Sequence, residues 1–140
     1  MPSATTILKQ DHRTVEKLFM EFENSGRASI AEQVCQELDI HTDIEERVVY
    51  PVLCDEVSGG KQMAEHAEKE HTDARQLVGR IRRTRDSNHL SELMSELKHA
   101  IEEHVQEEEN ELFPQMEREI DEARLNELGR QLEDLKASVS

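Results

Sequence analysis

Each of the four long amphipathic segments of this chain has a break in its apolar stripe, and every break is a histidine or a glutamate. The first stripe reads Leu8, Val15, Phe19 and Phe22, and His12 interrupts it. The second reads Val34, Leu38, Val48 and Val52, with His41 and Glu45 in the gap. The third, Met63, Ala67, Ala74, Val78 and Ile81, is broken by His71. The fourth, Leu90, Leu93, Leu97, Ile101, Leu112 and Met116, is broken by His104 and Glu108. Steps of three and four residues from stripe members aim these side chains where the core residues point. A carboxylate buried among aliphatic side chains costs several kcal/mol unless it is paired or bound to a metal. A fold that buries all of these polar groups must therefore bring them together on one axis.

Turn signals at Asn24-Ser25-Gly26, Ser58-Gly59-Gly60 and Asp86-Ser87-Asn88 separate the segments. The first helix is expected over about 3–23 and the second over about 29–57; the third follows Gly60 and the fourth follows Asn88. Aromatic residues are only 3% of the chain, so strands have little to draw on, while Glu, Leu, Lys, Arg, Gln and Ala favour helix. Short connections between long amphipathic helices predict an all-α, antiparallel up-down four-helix bundle. Asp121 reads as the N-cap of a shorter fifth helix. Its seam, Leu125, Leu128, Leu132 and Leu135, is expected to pack across the bundle rather than zip a dimer. The length of 140 residues suits one domain. That domain is expected over residues 1–140, with the bundle at about 3–119 and the last helix at about 121–137.

The breaks also repeat. His41, Glu45, Glu46, Tyr50, Pro51 and Leu53 are matched at the same offsets by His104, Glu108, Glu109, Phe113, Pro114 and Met116. A lone histidine precedes each unit, His12 before the first and His71 before the second. The His-to-Glu step of four residues puts both side chains on one helical face. A duplicated set of ligand types at equal offsets is what a two-fold-related pair of metal positions requires. Imidazole and carboxylate donors without thiolate suit iron or manganese, and zinc less exclusively. The prolines lie beyond the glutamates and are expected to kink or end their helices.

The set His12, His41-xxx-Glu45, His71 and His104-xxx-Glu108, with the ends Tyr50-Pro51 and Phe113-Pro114, resembles the hemerythrin-like (HHE cation-binding) family over about residues 8–132. The resemblance implies a four-helix bundle around two iron ions, oxo- or hydroxo-bridged. It implies that Glu45 and Glu108 bridge them, with His12, His41, His71 and His104 as terminal ligands, two to each ion. It also implies reactivity toward dioxygen, peroxide or nitric oxide. One position departs from the pattern. Oxygen-carrying members have a fifth imidazole four residues before the position of His71, and here that residue is Ala67. Tyr50, Glu68 and Glu70, as additional ligands or as groups that support the ligand side chains from behind, or water, are the candidates to fill the gap. His66, His89 and His99 lie off the stripe and are expected at the surface.

A net charge of −15 sets the chain against nucleic acid. The basic run Arg80, Arg82, Arg83 and Arg85 reads as a solvated helix end. No apolar run approaches the ~20 residues that span a bilayer, and the N-terminus has no signal-peptide pattern. Cys35 and Cys54 form no framework and are expected as reduced thiols in the cytoplasm. The partner expected is a small oxidant (O2, H2O2 or NO), acting on a monomer or weak homodimer. Peroxide dismutation of a catalase-like kind is favoured slightly, since it needs no external reductant and the chain has no dinucleotide-binding GxGxxG. An O2 or iron sensor or carrier without turnover is the alternative. A metal-free structural bundle and a two-zinc hydrolase rank below both.

Overall fold

The computed structural model describes residues 2–139; Met1 and Ser140, at the ends of the expected domain, lie outside the described residues. Helix α1 spans Ala4–Ser25 and starts where the Ser3 hydroxyl accepts from the Thr6 amide. Helix α2 (Ala28–Ile44) runs through a π-helical turn (Glu45–Val49) into α3 (Tyr50–Glu56). Helix α4 is Gly60–Arg83. Helix α5 (Ser87–Glu107) runs through a second π turn (Glu108–Leu112) into α6 (Phe113–Glu119). The Asp86 carboxylate caps α5 by accepting from the Asn88 and His89 amides. Helix α7 is Glu122–Val139, and Asp121 accepts from the Arg124 amide at 2.8 Å, as expected of its cap. Among the described residues the protein is entirely helix and short connections.

The two π turns change one expectation. Pro51 and Pro114 neither end nor interrupt their rods. Each follows a turn in which the amide of Tyr50 or Phe113 bonds the carbonyl five residues back, of Glu45 or Glu108. The wider turn takes in one extra residue, so the helix passes the proline and its phase shifts. The shift buries Val49 and Tyr50, whereas Val48, expected in the stripe, is only partly buried.

Two apolar clusters fill the interior. One gathers Leu8, Ile44, Tyr50, Leu53, Phe113 and Met116 with the seam of α7. The other gathers Phe19, Phe22, Val34, Leu38, Leu93 and Leu97 at the far end. The stripe-breaking residues form a polar layer between them. Pairs across the helices fix the packing: Thr5 to Glu117, Lys98 to Glu23, and Arg82 to Glu32 and Asp39. The last of these anchors Arg82 of the basic run at the end of α4.

Helix α7 lies against α1 and α2 and buries Leu125, Leu128 and Leu132. Gly129 permits this approach, since a β-carbon there would meet the Pro2 carbonyl oxygen at 2.3 Å. At the start of α4 the constraint is tighter: a β-carbon on Gly60 would lie 1.7 Å from the carbonyl oxygen of Leu53. The Gly60→Ala variant is therefore expected to lose about 1–3 kcal/mol through forced backbone displacement. A urea midpoint equal to that of the unsubstituted protein would contradict this packing.

Candidate metal centre

The polar layer holds His12, His41, Glu45, His71, His104 and Glu108, all buried, with Glu45 at 0% and Glu108 at 1% exposure. Their ligand-type atoms fall into two groups. His12, His41 and Glu108 form one, and Glu45, His71 and His104 the other. In each, the atoms lie within 4.8 Å of one another. His12 Nε2 is 2.9 Å from Glu108 Oε1, and His71 Nε2 is 3.1 Å from Glu45 Oε1. Each carboxylate also reaches the opposite group. Glu45 Oε1 is 3.4 Å from His41 Nε2, and Glu108 Oε2 is 3.3 Å from His104 Nε2.

The outer nitrogen of every imidazole meets a carboxylate. His41 Nδ1 pairs with Asp11 at 3.0 Å, and His104 Nδ1 with Glu70 at 2.7 Å. His12 Nδ1 pairs with Glu109 at 2.6 Å, and His71 Nδ1 with Glu46 at 2.7 Å. Such contacts hold an imidazole in one orientation and leave the other nitrogen for a metal. Arg13 pairs with Glu109, and Arg75 Nη2 donates to Glu46 at 2.6 Å. The network follows the sequence repeat. Asp11 and Glu70 each precede a lone histidine, and Glu46 and Glu109 each follow a glutamate of the layer. The ring following each π turn keeps the same correspondence: Phe113 stacks on His12 and Tyr50 tilts against His71.

Sequence reasoning missed Asp11 and Glu46 as orienting groups, and Glu109 entered it only as the repeat match of Glu46. The repeat offset of Glu46 and Glu109 was the available signal. The gap left by Ala67 resolves unevenly. The Tyr50 hydroxyl lies 3.0 Å from His71 Nε2, 3.2 Å from Glu45 Oε1 and 3.5 Å from Glu108 Oε2, inside the layer. Glu70 approaches His104 from the outside, through Nδ1, rather than from the inner face. Glu68 is exposed on α4 and belongs to neither group, because one helical step past Ala67 turns it to solvent. His66, His89 and His99 are exposed, as expected. His66 pairs with Glu107 at 3.0 Å.

The electrostatics are those of a site made for positive charge. Burial disfavours charge on His41, but Glu45, Asp11 and Glu108 outweigh it and push its pKa up to about 10. His104 is also raised well above its ordinary value: burial opposes this, and Glu108, Glu45 and Glu70 prevail. Burial pushes Glu108 upward, yet the His104 charge and its hydrogen bonds hold it well below the carboxylate range. Burial, then the Glu45 and Glu108 charges, raise the Tyr50 phenol.

Two buried side-chain atoms among the described residues lack a hydrogen-bond partner, His41 Nε2 and Glu45 Oε2. Both belong to the layer, and an orphaned buried polar atom costs about 1–3 kcal/mol. An imidazole nitrogen and a carboxylate oxygen are the donor types that iron, manganese or zinc accept, so the residues present fit a cation. Beside the layer, Val15, Leu38, Ala74, Ile101 and Val105 line a cavity of ≈ 120 Å³ that all four histidines border. Cation removal by a chelator is therefore expected to lower the melting temperature, and restoring the ion to raise it. At a hundredfold excess over Kd the gain is about 2.7 kcal/mol. Superimposable melting curves would contradict a cation-dependent layer.

Among the described residues no helix is long and apolar enough to cross a membrane. A search of curated proteins found no match. A crystal structure of a hemerythrin HHE cation binding domain-containing protein, an Rv2633c homolog from Mycobacterium kansasii, shares the fold. Its TM-score is 0.80 at 23% identity, over 99% of this chain and 90% of that one. The family model for the hemerythrin HHE cation binding domain matches residues 3–116, and the chain therefore belongs to the hemerythrin HHE cation-binding family.

Proposed function

We propose that this protein binds two iron ions in the polar layer and uses them to react with a small oxidant, with hydrogen peroxide dismutation as the favoured reaction. The observation that carries the reading is the pair of unpartnered atoms, His41 Nε2 and Glu45 Oε2, inside two His/Glu groups. His12 and His41 would hold one ion and His71 and His104 the other. Glu45 and Glu108, each near both groups, would bridge them. The pairs Thr5–Glu117 and Glu23–Lys98 run in opposite order along their rods, which supports an antiparallel up-down four-helix bundle with α7 laid across it, as one domain.

Paired iron ions supply one-electron redox steps and open coordination positions. The chain does the rest. Asp11, Glu46, Glu70 and Glu109 hold the four imidazoles so that Nε2 faces inward. The Tyr50 hydroxyl, at 3.0 Å from His71 Nε2 and 3.2 Å from Glu45 Oε1, would be the side chain of the layer able to ligate or hand on a proton in place of the fifth imidazole. The cavity, whose wall combines aliphatic side chains with Asp11, Glu70, Asp73 and Glu103, would admit a small molecule beside the histidines. In dismutation, two molecules of peroxide give two of water and one of dioxygen. One is reduced and the other oxidised, so no external donor is needed. A reducing cytoplasm suits the free thiols Cys35 and Cys54, and a monomer or weak homodimer with neither nucleic acid nor membrane as partner completes the reading.

An iron or dioxygen sensor is the second reading, favoured by the dependence of the buried atoms on a cation. Oxygen evolution separates the two. The iron-loaded protein is expected to release dioxygen from peroxide over many turnovers, whereas release limited to one turnover would favour the sensor. His41→Ala or His104→Ala is expected to lose at least one ion per chain, and near-normal iron content in both would overturn the ligand assignment. His89→Ala, remote from the layer, is expected to keep its iron. Because the His41 pKa is raised to about 10, a cation must displace a proton at neutral pH. Affinity should therefore rise from pH 6.5 to 8, and calorimetric titration showing equal affinity at both would contradict that competition.

A further inference from the structure

The orienting network is two-fold in pattern except at one point. Glu109 and Glu46 are the carboxylates that cross between the repeat units, and each has an arginine behind it, Arg13 and Arg75. Asp11 and Glu70 are the carboxylates that act within their units, and here the symmetry fails. Glu70 has His66 and Glu107 as outer neighbours. Asp11 instead has a lysine from the last helix: Lys136 Nζ is 2.5 Å from Asp11 Oδ1. Asp11 Oδ2 is the oxygen that faces His41 Nδ1, at 3.0 Å. The link crosses 125 positions of sequence, and it comes from α7, which lies beyond the residues 3–116 that the family model matches.

Taking the metal reading as given, we infer that Lys136 is a positioning residue through which α7 tightens one of the two metal positions, the one made by His12, His41 and Glu108. Asp11 is 6% exposed, and a carboxylate so buried needs a cation to stay in place. Lys136 supplies that charge at one oxygen and leaves the other to accept from His41 Nδ1–H. The imidazole is then held with Nε2, the unpartnered atom, toward Glu45 and Glu108. The link touches neither His71 nor His104, whose outer nitrogens are served by Glu46 and Glu70. The terminal helix is therefore a selective clamp on one metal position, and the two ions differ in how firmly they are held.

The test is release kinetics. The full-length protein is loaded anaerobically with ferrous iron, and ion loss to a ferrous chelator is followed in the unsubstituted protein and in Lys136→Met, Lys136→Arg and Asp11→Asn. Orienting partners of metal ligands are worth about 10–100-fold in affinity. Lys136→Met should accelerate loss of one ion by roughly tenfold or more and leave the other unchanged. Asp11→Asn should give the same phase, the double variant should add little to it, and Lys136→Arg should restore the slow phase. A purely structural role for Lys136 would lower the melting temperature of the cation-free protein and speed both ions alike; that outcome overturns the inference. So does a Lys136→Met profile identical to the parent's. An unsubstituted protein that takes up no iron overturns the metal reading first, and the inference with it.

Discussion

The interaction on which the rest depends is the mutual neutralisation of two buried carboxylates and four imidazoles in one layer. Glu45 and Glu108 have almost no exposure, and alone in an aliphatic core either would destabilise the protein by several kcal/mol. Here they lie between two apolar clusters that pack the helices together on either side of the layer. The layer is stabilised by charge of opposite sign, which protons on His41 and His104 or a metal cation can provide. Because His41 Nε2 and Glu45 Oε2 stay unpartnered, the cation is the better complement. Stability and chemistry are properties of the same atoms.

Around that layer the protein builds one device twice. Each half contributes an acid and a lone histidine, a His-Glu-Glu set, a π turn, and an aromatic-proline pair. The π turns begin at the two inner glutamates, where one added residue rephases the rod and sets the aromatic ring against a histidine of the layer. The duplication is not perfect, and its departures are chemical. Tyr50 carries a hydroxyl where Phe113 has none, and Asp11 is backed by a lysine where Glu70 has an imidazole and a second carboxylate as outer neighbours. The two His/Glu groups, built from matching parts, therefore have different surroundings.

Much of this was legible in the sequence, for a physical reason. The inner histidines and glutamates interrupt aliphatic stripes, and a polar residue in a stripe has few explanations. Helix starts at Asp121 and after Gly60 were legible because caps and glycine turns are local. The outer carboxylates were harder, since Asp11, Glu46 and Glu70 flank the stripe and look like solvated acids in a chain of net charge −15. Val48 was misplaced in favour of Val49, because no propensity rule marks a π turn. Glu68 was offered as a gap-filling ligand on proximity along the helix, and its angle around the helix points it to solvent. The contact from Lys136 to Asp11 depends on how α7 docks, which a pattern of leucines does not specify.

The most direct test of the central claim is the metal content of the protein purified without a metal-affinity tag, read together with its visible spectrum. About two irons per chain are expected, with ligand-to-iron charge-transfer bands that change when peroxide is added; a further broad band at longer wavelength would mark Tyr50 as a phenolate ligand. A colourless protein that stays empty, or takes only zinc after anaerobic ferrous loading, would contradict the claim.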